Sequence, residues 1–169
     1  IMALARQFGG TLVHNVRSTL ILVVSSVLAF AGALLMGYVN GAFLVFAAAG
    51  IFALGIAFFW PTMLGFVSEN IPQSGALGLA IMGGIGFLGG AIAQPVLGAI
   101  FDAQTAASVP AGQAIEVLKS AAEGTQEAAA WAAAQLTGGA STLRFVALVP
   151  AFLIISFTLL HNSRKKKTA

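Results

Sequence analysis

The feature that most constrains this chain is a long stretch almost free of charge. From residue 18 to residue 101 the only charged residue is Glu69. The hydrocarbon core of a bilayer is about 30 Å thick and is crossed by roughly 20 helical residues, so this stretch must cross more than once. Of the 169 residues, 8% are charged, whereas soluble domains carry roughly 25%. The sequence therefore excludes a soluble globular domain and predicts an integral membrane protein.

Turn signals divide the hydrophobic sequence into separate helices. Asn40-Gly41 is a turn pair, and the polar residues 68–75 form a second break. The predicted transmembrane helices span residues 19–39, 42–67, 76–101 and 143–161. Residues 1–13 are predicted to be the end of a further helix, closed by a glycine pair. The predicted fold is all-α: a polytopic transmembrane helix bundle with four full spans plus the end of a fifth.

Residues 102–141 differ in composition from the spans, because they are rich in Ala, Gln, Glu and Ser. They are predicted to form an extracytoplasmic loop with two short amphipathic helices. Gly124 would divide these helices, Thr125 would cap the second, and Gly138-Gly139 would end it. A surface connector and a cap over a binding site are both compatible with this pattern.

The distribution of basic residues predicts the orientation in the membrane. With four spans between them, the loop around residue 17 and the tail, residues 162–169, lie on the same side. That side carries six of the eight basic residues: Arg6, Arg17, Arg164, Lys165, Lys166 and Lys167. The positive-inside rule then places the C-terminus in the cytoplasm. We expect the bilayer to be the bacterial inner (plasma) membrane.

The second span contains a proline that suggests a binding cavity. Pro61 cannot donate a hydrogen bond to the carbonyl of Ala57, so the helix should kink or unwind there. A freed carbonyl must face protein or water rather than lipid. Trp60 and Thr62 would then offer a stacking face and a hydroxyl group to a polar organic solute. A packing kink with an interfacial tryptophan is the alternative. In the third span, Gln94 and Pro95 form a similar but weaker signal.

Small residues recur at four-residue spacing in the third span, where they predict a packing face. One row runs through Gly86, Gly90 and Gly98, and a second row ends at Gly84. Residues four apart share a helix face, and glycine there lets another helix approach closely. The face would serve either static helix packing or two halves of a transporter that rock against each other.

The cytoplasmic loops contain candidates for gating. Gly10, His14 and Arg17 lie in the first loop, and Glu69 in the second could pair with an arginine. Orientation charges and a solvated carboxylate are the simpler interpretation. No charged residue lies in the middle of any predicted span, where ion-coupled machinery normally needs one. The sequence has no cysteine and no motif for nucleophilic or metal chemistry, so we expect neither an enzyme nor a cofactor, metal or nucleic-acid partner.

Two segments resemble the major facilitator superfamily of transporters. Residues 9–18, GGTLVHNVRS, are similar to its loop motif G-x-L-x-D-R-x-G-R-R, with Gly10 and Leu12 matching. His14 stands where the motif has Asp, and Arg17 where it has Gly. Residues 58–84 resemble the tenth helix, a cytoplasmic loop and the start of the eleventh helix. Within them Ser68, Glu69 and Pro72 match the pattern S-E-x-x-P.

The resemblance implies that residues 1–13 end helix eight and that the four spans are helices nine to twelve. Helix ten would line a substrate cavity, and the glycine face of helix eleven would oppose the N-terminal half. The implied function is secondary active transport of a small organic solute, with sugars slightly favoured, by alternating access. Because the chain begins at Ile1, we expect an incomplete C-terminal fragment whose partner is the missing N-terminal half. The alternatives are a small membrane scaffold or assembly protein and a pore-forming oligomer.

Overall fold

The computed structural model describes residues 18–165, with side chains described through residue 163. Within this part of the chain every regular element is a helix. Seven α-helices are present, together with a 3₁₀ turn at Pro72–Ser74 between the third and fourth. The α-helices are α1 (Ser18–Tyr38), α2 (Ala42–Ala57), α3 (Phe59–Asn70), α4 (Gly75–Ala107), α5 (Ile115–Ser120), α6 (Gln126–Val146) and α7 (Leu148–Lys165).

Four helical stretches are long and apolar enough to cross a membrane, which confirms the predicted number of spans. These stretches are Ser18–Tyr38, Ala42–Asn70, Pro72–Ala107 and Gln126–Ser163. The predicted turn at Asn40-Gly41 is also confirmed, since Gly41 adopts a φ of +96°, a conformation that favours glycine. The predicted fifth helix, residues 1–13, lies outside the described residues.

Proline accounts for two of the helix breaks. Helix α2 ends at Ala57, the residue whose carbonyl Pro61 leaves without a donor, as the sequence predicts. Helix α6 ends at Val146, four residues before Pro150, just as α2 ends four residues before Pro61. Helix α7 begins two residues after Val146. In contrast, α4 continues through Pro95 as one helix. A proline in these spans therefore marks where a helix is weakened, but it does not always divide it.

The segment 102–141 differs from the loop that the sequence predicts. Helix α4 extends beyond residue 101 to Ala107, and the second of the two predicted short helices is the long helix α6, which leads into the fourth span. Thr125 caps α6 as predicted, since its side chain accepts a hydrogen bond from the backbone N–H of Ala128 at 3.3 Å. The predicted stop at Gly138-Gly139 is wrong. A Cβ at Gly138 would lie 2.7 Å from Thr105 Cα, so this glycine permits close packing of α6 on α4.

Helix α1 lies at the centre of the bundle, against α2, α3, α6 and α7. Its buried residues are mostly small and include Ser26, Ala29 and Ala33. Large apolar side chains point away from the chain instead; Phe43 is 84% exposed and Phe87 is 83% exposed. Such an arrangement suits a bilayer, because lipid tails accommodate large apolar side chains as well as a protein core does.

Candidate functional site

The three predicted cavity residues do not form one site within the chain. Trp60 is 41% exposed and lies beside α4, where its ring is 3.1 Å from the position a Cβ would take at Gly86. Thr62 is 1% exposed and lies about 200° around the helix axis from Trp60, since successive residues are about 100° apart. Gln94 is exposed on α4, eight residues beyond Gly86. The stacking face and the hydroxyl group therefore point in different directions.

Thr62 is nevertheless unusual, because its hydroxyl oxygen is buried without a hydrogen-bond partner among the described residues. Its backbone N–H bonds to the Phe58 carbonyl at 3.1 Å, next to the break that Pro61 causes. A buried hydroxyl without a partner loses free energy that a hydrogen bond would recover. The region of the break thus retains unused hydrogen-bonding capacity.

The predicted packing face of α4 is open. Apart from the local helix backbone, no heavy atom in the described part of the chain lies within 4 Å of a Cβ built at Gly84, Gly90 or Gly98. Gly86 contacts only the ring of Trp60. In its most apolar window, the stretch Pro72–Ala107 has 0% of its residues buried, compared with 44% for Ser18–Tyr38. Gly84, Gly90 and Gly98 thus present a surface that the described part of the chain leaves uncovered, and Gly86 is covered only by the Trp60 ring.

Polar contacts join three helices at one end of the bundle. Ser18 at the start of α1 donates a hydrogen bond to Glu69 at 3.2 Å, and Thr19 is 2.9 Å from Nδ1 of His161 in α7. The structure therefore brings together the ends of α1, α3 and α7 that the sequence predicts to share one side. Gly10, His14 and Arg17 lie outside the described residues, so the predicted pairing of Glu69 with an arginine stays a prediction.

At the opposite end, Arg144 ties α6 to the end of α1. Its Nε donates a hydrogen bond to the Gly37 carbonyl at 2.7 Å, and its guanidinium lies 4.2 Å from the ring centroid of Tyr38. A cation that binds the last carbonyls of a helix also interacts favourably with the helix dipole. Nothing in the local sequence of Arg144 indicates the distant carbonyl that it binds.

A pocket of about 410 Å³ lies near this end, between α4, α5 and α6. Sequence reasoning missed it, because its walls come from three separate segments. Its lining residues are Phe101, Asp102, Thr105, Ala106, Ile115, Lys119, Trp131 and Gln135. Across residues 18–163, no group of three or more His, Asp or Glu side chains could hold a metal ion.

Comparisons of the chain with protein-family models, with curated proteins and with solved structures find no match.

Proposed function

We propose that this chain is the C-terminal membrane part of a secondary transporter that moves a small organic solute by alternating access. In this proposal the helices of an N-terminal half cover the glycine face of α4, and a sugar-like solute is slightly favoured. The proposal places the protein in the bacterial inner membrane with a cytoplasmic C-terminus. It draws on the resemblance of residues 9–18 and 58–84 to the major facilitator superfamily.

The open glycine face of α4 is the observation that carries the proposal. Glycine in a helix interior costs about 0.5–1 kcal/mol relative to alanine, so a row of glycines needs a compensating role. In a membrane helix that role is close approach by another helix. No helix among the described residues takes this place at Gly84, Gly90 or Gly98. A face free of side chains also suits two halves that move past each other.

Trp60 supports the sugar-like preference. It borders the glycine face beside Gly86 and remains 41% exposed. An aromatic ring at the edge of a cavity between two halves would stack against the apolar face of a sugar ring. Gln94, exposed on α4, would supply hydrogen bonds on the same side of the chain.

A membrane scaffold or assembly protein is the second candidate, and the same open face favours it. The face would then bind a helix of another protein permanently instead of rocking against a second half. The two candidates differ in whether the assembled protein moves solute.

Solute uptake tests the proposal directly. Proteoliposomes would contain this chain alone, or the whole gene product with any polypeptide encoded upstream in the same reading frame, and uptake of radiolabelled sugars would be measured. We expect saturable uptake by the whole product and none by the chain alone. Saturable uptake by the chain alone would contradict the proposal, and a whole product that moves no solute but retains a partner protein would favour the scaffold.

Two variants test the role of the glycine face in the same assay. Gly90→Leu adds bulk to the face, whereas Ala99→Leu adds bulk nine residues away, about 180° around the helix. We expect Gly90→Leu to lower the uptake rate roughly tenfold, equivalent to about 1.4 kcal/mol, and Ala99→Leu to leave it unchanged. Equal effects of the two variants on the uptake rate would show that the glycine face has no specific role in transport.

A further inference from the structure

The pocket between α4, α5 and α6 contains two opposite charges that do not neutralise each other. Asp102 and Lys119 both line it, both are exposed to solvent, and they form no ion pair with each other. The Asp102 carboxylate has no hydrogen-bond partner within this part of the chain. Lys119 makes one contact, in which its Nζ lies 5.4 Å from the centroid of the Trp131 ring. Both charges are therefore available to a ligand.

The remaining walls combine apolar and polar groups. Phe101 and Trp131 supply aromatic surface, Ile115 is apolar, and Gln135 supplies an amide. The volume of about 410 Å³ falls within the range of roughly 300–1,000 Å³ that small-molecule sites occupy. A lone charge in such a site would select an ion of the opposite sign. One charge of each sign selects a zwitterion instead.

The position of the pocket further restricts the chemical class of its ligand. Asp102 directly follows the last residue of the apolar run in α4, so the pocket lies at the end of the apolar part of that helix. Trp131 is an aromatic residue of the kind found at the level of lipid headgroups. Zwitterionic molecules are concentrated at this depth, because the headgroup of phosphatidylethanolamine carries a phosphate and an ammonium group.

We propose that this pocket binds a zwitterionic ligand of the phosphoethanolamine type. Lys119 would bind the phosphate, Asp102 would bind the ammonium group, and Phe101 and Trp131 would cover the carbon atoms between them. This chemistry is shared by a phospholipid headgroup and by free phosphoethanolamine. The proposal is independent of the transport function, since none of its residues belongs to the α4 glycine face or the Pro61 region.

Fluorescence of Trp131 provides the test. The chain has two tryptophans, so Trp60→Phe leaves Trp131 as the single emitter. This variant of the 169-residue chain, in maltoside micelles, would be titrated with a short-chain phosphatidylethanolamine, a short-chain phosphatidylglycerol, free phosphoethanolamine and inorganic phosphate. We expect a saturable spectral change with the phosphatidylethanolamine. Equal binding of free phosphoethanolamine would identify a soluble ligand, and binding of the lipid alone would identify a headgroup site.

Charge variants distinguish this site from general attraction to micelles. Asp102→Asn and Lys119→Gln should each weaken binding roughly tenfold, because each removes one charge-assisted hydrogen bond. Glu116→Gln is the matched control, since Glu116 lies on the same short helix as Lys119 but does not line the pocket. The proposal would be overturned if no saturable change occurred or if all three variants weakened binding equally. It would also be overturned if phosphatidylglycerol bound as tightly as phosphatidylethanolamine and Asp102→Asn left that binding unchanged. Circular dichroism of each variant would verify that the helices remain folded.

Discussion

Helices α1 and α4 are both long and apolar enough to cross a membrane and both contain glycine, but the glycines pack in opposite ways. In α1, a Cβ at Gly32 would lie 2.5 Å from the backbone nitrogen of Phe52, so α2 already occupies the space that glycine provides. In α4, the space beside Gly90 and Gly98 contains no atom of a neighbouring described helix. The comparison shows that the same sequence signal marks a completed interface in α1 and an open one in α4.

The largest expected effect tests the completed interface. A Cβ at Gly55 would lie 2.5 Å from the backbone nitrogen of Ala29 and 2.8 Å from the Ser25 carbonyl oxygen, and neither atom can move as a side chain would. We expect Gly55→Ala to lower the free energy of unfolding by about 1–3 kcal/mol, because α1 and α2 must separate. Denaturation in mixed micelles, followed by circular dichroism, would measure this. An unchanged stability would mean that the two helices are less closely packed than described.

A slightly smaller effect is expected where α1 is tied to α6. Arg144→Met removes the hydrogen bond to the Gly37 carbonyl and the contact with Tyr38. The free energy of unfolding should fall by about 1–2 kcal/mol, since the bond involves a charged donor. Arg144→Lys, which keeps the cation near the ring, should lose less in the same denaturation experiment. If both variants had the same free energy of unfolding as the parent protein, Arg144 would not stabilise the contact between α6 and the end of α1.

The other end of α1 should contribute less. Thr19→Val removes the hydroxyl that lies 2.9 Å from Nδ1 of His161 but keeps the shape of the side chain. Loss of one side-chain hydrogen bond corresponds to about 1 kcal/mol. The control is Thr137→Val, whose hydroxyl bonds only to the Ala133 carbonyl of its own helix. Thermal unfolding in detergent should separate the two variants, and equal melting temperatures would argue against the link between α1 and α7.

The smallest expected effect is at the open face and has the opposite sign. Gly98→Ala adds a methyl group where no neighbouring atom lies within 4 Å. The isolated chain should gain roughly 0.5 kcal/mol, because alanine restricts the unfolded chain and favours the helix. The denaturation experiment used for Gly55→Ala provides the direct contrast. A loss comparable to that of Gly55→Ala would mean that α4 is already covered.

The fold was largely predictable from the sequence, because hydrophobic length and turn residues are local signals. Four spans, the turn at Gly41, the break before Pro61 and the cap at Thr125 all follow from neighbouring residues. The extent of α6 was not predictable, because a Gly-Gly pair at Gly138 locally predicts the end of a helix. Only the distant Thr105, which packs against Gly138, accounts for glycine inside a continuing helix. The pocket and the contact between Arg144 and Gly37 join distant segments, and no local pattern reveals them. The predicted cavity residues Trp60 and Thr62 share a sequence motif but not a direction.

The central claim is that other helices cover the glycine face of α4 in the assembled protein. Photo-crosslinking in native membranes tests it, with a photoreactive amino acid carried at position 90 on the face or at position 99 on the opposite side. We expect position 90 to crosslink to protein, identified by mass spectrometry as helices outside residues 18–165, and position 99 to crosslink to lipid. Crosslinking of position 90 to lipid alone would show that no helix covers this face.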